Sequence, residues 1–588
     1  MNICGLAKFN NRELKNPFHK NEEFFTDSFC CINKGVDCDG LKVLFDGVIY
    51  NLEDFKEENL SDCAEIIIAK NYRKYGVESF SKYEGTFAIA IYDFENRQVI
   101  LARDKIGGKP LYYYFENGEF LFSSKLKDII DTGIVPKTVD KDALSVYLQL
   151  TYVPAPFSMI EKVYKVMPAS AVILNGNGEI ESVKYWELEI NPHNFIKDYS
   201  IAKSKLKEEV FKSVERRLKG NVGALLSGGF DSSIVVGVAS QISSEKLNAF
   251  TIKFSDKYYD ESNLARLVIE KNNAIHNVVD FSNYNLLNVI EEVFENMDEP
   301  YGDSSIISSY IVSKEAKLKV DAVLSGDGGD ELFAGYNRYL VSHYNALFKK
   351  VPRFMRNGII KPCSKIFGAH TYLRRKIDKF LYVAEKDVYE QRKALISLGF
   401  KGEELQSLMK NSYVNEMVFV KEIFDKYPML DSQTKAQLID FNVVLEGDMM
   451  TKAYKTFDMT NLLIKSPLLD KSVIELSYNM PSNFKIKGKD RKIILKDAFK
   501  EYLPQELYTA KKHGFGVPMR GWISNELKPL LLKYSSKDFL EKQGLFNYES
   551  INAIIEEHTS NRKSRWSELW AFIVFQNWYE TIFLKEAK

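Results

Sequence analysis

Val222-Gly223-Ala224-Leu225-Leu226-Ser227-Gly228-Gly229-Phe230-Asp231-Ser232-Ser233 is an apolar run that ends in a glycine-flanked turn and continues into the apolar Ile234-Val235-Val236. It reads as strand, tight loop, helix. Gly228 and Gly229 let the main chain come close to a phosphate. Ser232 and Ser233 add hydroxyl donors, and the following helix turns its positive end toward the anion. The lysine of a Walker A loop is missing, which disfavours a generic P-loop NTPase. Asp231 would repel phosphate directly. It makes sense as a ligand of Mg²⁺, which is held by carboxylates together with phosphate oxygens.

The same grammar returns downstream. Val320 to Leu324 is apolar, and Ser325-Gly326-Asp327-Gly328-Gly329-Asp330-Glu331 follows it. Asp327, Asp330 and Glu331 repel one another unless a cation sits among them. Open α/β sheets bind ligands at the carboxyl ends of their strands. Two such loops at one sheet edge point to an enzyme that splits ATP into AMP and pyrophosphate to activate a carboxylate.

Outward from these loops, helical spacing over Ile201 to Leu218 precedes the first strand. Further strands are expected at Ala249 to Phe254 and His276 to Phe281, separated by helices. That alternation predicts a parallel sheet covered on both faces. After about residue 335 the pattern is mostly helical, ending in the aromatic-rich Trp566 to Phe583. Residues 1 to about 190 read differently. Val43-Leu44-Phe45, Phe87 to Tyr92, Val99 to Ala102 and Leu111 to Tyr114 are short apolar or aromatic runs separated by polar turns, the pattern of hairpins. A helix fits Ala64 to Tyr75, and Asn191-Pro192-His193-Asn194 reads as a linker. The chain of 588 residues is too long for one core, so domains are expected at 1–190 and 200–588. Balanced charge, with 80 basic and 80 acidic residues, gives no support to a nucleic-acid surface. No apolar run reaches membrane-span length and no secretory signal is apparent. The six cysteines fit no zinc spacing, so a cytoplasmic protein with reduced thiols is expected.

Several blocks, in order, resemble the asparagine synthetase family of glutamine-dependent amidotransferases. They are Ser227 to Ser233, Asp298-Glu299-Pro300 with Asp303-Ser304-Ser305, Ser325 to Tyr336, Pro467 to Asp470, Lys492 to Lys496 and Lys512 to Pro518. In the first domain, Asp46 to Asn51 and Arg103 to Gly107 are similar to its glutaminase half. The resemblance implies an α/β protein. Its N-terminal domain would be α+β, an N-terminal-nucleophile (Ntn) hydrolase-like β-sandwich layered with helices. Its C-terminal domain would be a parallel-sheet ATP pyrophosphatase with a helical extension. It further implies ATP contacts at Leu226, Ser227, Gly228, Gly229, Asp231, Ser232, Ser233, Ile252, Ser325 and Gly326, and Mg²⁺ at Asp231 and Asp330. Lys492 would face the phosphates and stabilise the leaving pyrophosphate, with Asp327 as a further catalytic position. Residue type alone would make Lys492 a solvated helix lysine.

The glutaminase half departs from the family. That half works through an N-terminal cysteine whose own α-amine is the base. Cys4 resembles it, but Met1-Asn2-Ile3 stands in front. The family's Asn-Gly appears as Asp46-Gly47, where a carboxylate would repel an oxyanion. The acidic residue for glutamine's amino group aligns with Cys63, and Asp62 is one place off. No arginine upstream of Asp46 matches the one that holds glutamine's carboxylate. These losses predict an impaired glutaminase. In the second half, Leu463 and Lys465 take the glutamate and arginine places of a Glu-x-Arg-x-Pro run, and a lysine point charge is not a bidentate fork. The expected partners are a small-molecule or peptide carboxylate and a nitrogen donor: ammonia, glutamine or a substrate amine. A homodimer is compatible with the resemblance. Asparagine synthesis is the default activity. A specialised amide synthetase or peptide macrocyclase stands beside it, and β-lactam-forming relatives carry a tyrosine where Asp327 stands. A tRNA-modifying pyrophosphatase or an inactive scaffold are the readings from other classes.

Overall fold

The computed structural model describes residues 3–8, 16–18, 24–56, 63–256, 258–356, 377, 380–384, 386–510 and 517–584. Asp62, Cys363 and Lys512-His513-Gly514-Phe515-Gly516 lie outside these, as do Met1 and Asn2. The chain divides into two compact units. The first is Met1–Leu144, Val153–Glu189 and Leu445–Lys455; the second is Ser145–Tyr152, Ile190–Val444 and Thr456–Lys588.

Twelve strands build the first unit: β1 Cys4–Lys8, β2 Phe24–Thr26, β3 Cys30–Asn33, β4 Val36–Cys38, β5 Leu41–Ile49, β6 Gly85–Asp93, β7 Gln98–Arg103, β8 Tyr112–Glu116, β9 Glu119–Ser123, β10 Val163–Lys165, β11 Ser170–Leu174 and β12 Ile180–Lys184. They form two antiparallel six-stranded sheets, ordered β10-β8-β9-β1-β3-β2 and β12-β11-β7-β6-β5-β4. Strand alternation sets the layers. Ala88, Ala90 and Tyr92 of β6 join a core with Phe120 and Phe122 of the other sheet. Phe87, Ile89 and Ile91 face the opposite way and pack with Ile68 and Ala69 of the helix Ala64–Tyr75. That helix has the bounds its periodicity predicts.

The second unit carries a five-stranded parallel sheet. Its strands are β13 Val222–Leu225, β14 Asn248–Lys253, β15 Ile275–Asp280, β16 Ala322–Leu324 and β17 Leu463–Lys465, in the order β15-β14-β13-β16-β17. The order reverses direction between β13 and β16, which pair directly from Val222↔Ala322 to Ala224↔Leu324. A reversal of this kind opens a crevice at the carboxyl ends of the two strands. The two glycine-bearing loops leave from those ends. The helix Tyr199–Arg217 precedes the sheet, its first turn capped by Asp198, which accepts from Ile201 N at 2.9 Å. The fifth strand lies within the stretch read from sequence as mostly helical. It is three residues long, too short for an alternation signal to show.

Candidate active site

Leu226 follows the strand β13, donating to Phe250 O and accepting from Thr251 Oγ1, both at 2.8 Å. Ile252 is buried on the same neighbouring strand. The loop then folds on its own hydroxyls. Ser227 N donates to Ser232 Oγ at 3.2 Å, and the two hydroxyl oxygens lie 3.1 Å apart. Gly228 turns at φ 72° and Gly229 N points at Ser227 Oγ. The helix Phe230–Ile242 starts at once. Ser233 is fully buried and its hydroxyl donates to Gly229 O at 2.6 Å, bracing the first turn from behind.

The second loop packs onto the first. A Cβ at Gly326 would stand 2.6 Å from Ser232 N, so only glycine allows the approach. Ser325 Oγ donates to Asp327 Oδ2 at 2.7 Å, which fixes one face of that carboxylate. Asp330 and Glu331 begin the short helix Gly329–Leu332.

Lys492 joins the two loops. Its ammonium pairs with Asp231 Oδ2 and, at 2.5 Å, with Asp330 Oδ1. It is not a solvated helix lysine: it is 5% exposed and stands at φ 54° just before the helix Ile493–Ala498. Left-handed backbone at a residue with a side chain is strained, and such strain gathers where surroundings force a functional geometry. Gly335 makes room for the pair, since a Cβ there would overlap both Asp330 Oδ1 and Lys492 Cε.

The carboxylates fit a divalent cation. Asp231 Oδ1 is buried and has no hydrogen-bond partner among the described residues. A carboxylate oxygen only accepts, and a divalent cation is one group that would satisfy it. No cluster of three or more potential metal ligands occurs among the described residues. The remaining ligands would be nucleotide oxygens and water, the usual habit of Mg²⁺. Behind this triad Glu331 is fully buried. Burial and the neighbouring Asp330 raise its pKa to about 7, while Tyr336 donates to it at 2.6 Å.

Leu463 is exposed, whereas Lys465 is buried and donates from Nζ to Arg217 O at 2.9 Å and Lys219 O at 3.2 Å. It therefore caps the C-terminal end of the helix Tyr199–Arg217. Burial and the adjacent Arg217 lower its pKa to about 8. Sequence reasoning had no signal for this, because the carbonyls it serves are far away in the chain.

In the first unit, Cys4 lies inside a sheet. It pairs with Ser123, is fully buried, and its nitrogen is an amide donating to Asn33 Oδ1 at 3.1 Å. On its N-terminal side Ile3 is bonded in both directions to Ser124. Asp46 and Gly47 lie on β5 opposite Ala88 and Phe87. The Asp46 carboxylate meets Lys109 Nζ at 3.1 Å, a partner the sequence reading missed. Cys63 precedes the helix Ala64–Tyr75 and donates to Glu65 Oε2 at 3.0 Å. Burial and that carboxylate raise its thiol pKa, so it carries no charge to meet an ammonium at neutral pH. None of the five described cysteines forms a disulfide. The Arg103 to Gly107 block is a brace. Asp104, fully buried, accepts from the amides of Phe87, Ile106, Gly108 and Lys109 at 3.0 to 3.1 Å. Arg103 donates to the carbonyls of Lys109, Val166 and Gly107 and pairs with Glu446 at 3.0 Å.

A family model described as asparagine synthase matches residues 205–580. The chain belongs to the asparagine synthase family. A glutamine amidotransferase domain model matches residues 36–186. Asparagine synthetase [glutamine-hydrolyzing] 1 of Bacillus subtilis is 26% identical over 91% of this chain and 85% of its own length. A putative asparagine synthetase [glutamine-hydrolyzing] 2 of Methanocaldococcus jannaschii is 34% identical over 59% of this chain and 70% of its own. Amidase chry2 of Gibberella zeae is 24% identical over 87% and 82%. As an asparagine synthase family member the protein is an ATP-dependent carbon–nitrogen ligase, of the class typified by the glutamine-hydrolysing asparagine synthase. No described helix is long and apolar enough to cross a membrane.

Proposed function

We propose that the second unit adenylates a carboxylate, aspartate by default, and passes the acyl group to ammonia or a substrate amine, with release of AMP and pyrophosphate. The observation that carries this reading is the meeting of Asp231, Asp330 and Lys492 where the parallel sheet changes direction. Ser227, Ser232 and the amides of Gly228 and Gly229 hold the pyrophosphate end of ATP, and the helix Phe230–Ile242 aims its positive terminus there. Lys492 places a fixed positive charge where pyrophosphate departs. A divalent cation at Asp231 and Asp330 would neutralise phosphate charge when bound. Asp327 takes the proton released as the amine attacks.

The first unit, in this reading, keeps its fold without hydrolysing glutamine. An amide at Cys4 cannot serve as the base that an α-amine supplies, and the thiol is buried. Supply from glutamine would require removal of everything before Cys4.

A second reading is a specialised amide synthetase with a different acid. The commitment of Lys465 to helix carbonyls favours it, because that cation is then taken from substrate recognition. The similarity to a protein named amidase chry2 points the same way. Carboxylate-dependent ATP–pyrophosphate exchange with a panel of acids separates the two. Exchange with aspartate supports the default, exchange with other acids only supports the second, and none with any acid removes both.

A further inference from the structure

Ser466 follows the last residue of β17, and its hydroxyl oxygen lies 2.9 Å from Ser325 Oγ. Ser325 Oγ in turn donates to Asp327 Oδ2 at 2.7 Å. A serine hydroxyl carries a single proton. Ser325 commits that proton to Asp327, so Ser466 must be the donor to Ser325. Both serines are buried, with 3% and 8% exposure. The chain therefore runs one way, Ser466 to Ser325 to the carboxylate, with little water to compete for the Ser466–Ser325 link.

We propose that Ser466 is a positioning residue that sets the orientation of the Asp327 carboxylate for the amide-forming half-reaction. The inference rests on the role given to Asp327 above. Its strength lies in how Ser466 is itself held. On one side, Lys465 caps the helix Tyr199–Arg217 through Nζ, and its carbonyl accepts from Ser325 N at 2.9 Å. On the other, Pro467 O accepts from Ser213 Oγ at 2.6 Å. Three residues further on, buried Asp470 pairs with Arg216 at 3.1 Å and Arg217 at 2.9 Å, and those two guanidinium groups lower its pKa despite burial. The residues flanking Ser466 are thus tied to the end of one helix. A hydroxyl fixed on a rigid frame transmits its position to whatever it bonds.

The chemistry needs such control. As the amine nitrogen forms its bond to the acyl carbon, AMP leaves with the electron pair of the carbon–oxygen bond, and the surplus proton on nitrogen passes to the Asp327 carboxylate. A carboxylate turned away from the nitrogen slows that step without weakening nucleotide binding. Adenylation draws on another set, Lys492 with Asp231 and Asp330, so the two half-reactions can be perturbed separately.

The test uses the full chain with Ser466→Ala, Ser466→Val and Ser466→Thr. Threonine keeps the hydroxyl and valine keeps threonine's shape without it. The acid is aspartate, or the panel member with the strongest exchange, and the nitrogen source is ammonium. Alanine and valine are expected to lower kcat for amide formation about tenfold, the scale of one lost hydrogen bond in a chain ending on a charged group. ATP–pyrophosphate exchange and KM for ATP should stay unchanged, and threonine should restore kcat. Equal loss of exchange, equal behaviour of valine and threonine, or full activity of alanine would each overturn the proposal. If the unaltered protein exchanges with no acid, the proposed function fails instead. A crystal structure of Ser466→Ala then decides the positioning claim: a displaced Asp327 carboxylate supports it, and an unmoved one refutes it.

Discussion

The two halves of this protein keep different parts of one inheritance. Around Lys492, three segments far apart in sequence bring two carboxylates and an ammonium within ion-pair distance, and one carboxylate oxygen has no donor among the described residues. Around Cys4 the opposite holds. The scaffold is intact, with Asp104 gathering four amides and Arg103 three carbonyls, but Cys4 is an interior strand residue. Buried braces of this kind serve a fold whether or not the fold still catalyses. An unsatisfied carboxylate oxygen among compressed charges is costly and persists where a ligand repays it. In the reading proposed here, that difference separates a catalytic site from a retained framework.

The largest effect that can break this contrast is at Asp231. Asp231→Ala is expected to cut ATP–pyrophosphate exchange at least about a thousandfold with only a small change in Tm. Normal exchange in the variant would remove the metal assignment and with it the distinction between the halves. In the first unit the converse should hold. Asp104→Ala leaves three buried amides and one partly buried amide without this acceptor and should cost about 4 kcal/mol of stability, read by denaturant unfolding, while exchange per folded molecule stays unchanged.

A smaller effect sharpens the account of the acid-rich second loop. Folding keeps Glu331 protonated up to about pH 7, against an ordinary value of 4.5. Between those values the folded state binds more protons than the unfolded chain, so stability falls as pH rises through that window. Glu331→Gln lacks this loss. It should be more stable than the unaltered protein at pH 8 by up to about 3 kcal/mol, with the advantage fading toward pH 4. A constant difference across pH would show that Glu331 does not titrate there. The smallest effect is at Cys4. Cys4→Ala should leave ammonia-dependent amide formation unchanged, and purified protein whose mass shows an intact N-terminus should release no glutamate from glutamine.

Much of this site could be read from the chain because the signals are local. The strands β13 and β16 are apolar runs that stop at glycine-bearing loops, and the structure moves the bounds of the first four parallel strands by at most two residues. The helix Ala64–Tyr75 follows from its own spacing. What stayed hidden depends on distant partners. Leu463–Lys465 becomes a strand only because β16 is there to pair with it. Ser466 gains meaning from Ser325, and Asp46 from Lys109, neither of which is near in sequence. Lys492 could not be told from a solvated lysine until the acids of both loops closed around it.

Following label from ³²P-pyrophosphate into ATP, with the full-length protein, magnesium and a panel of carboxylic acids in the absence of any amine, decides whether the second unit activates a carboxylate. Exchange is expected to require an added acid, to disappear in Asp231→Ala and to be untouched by Cys4→Ala. Glutamine hydrolysis in the absence of exchange with every acid would contradict this.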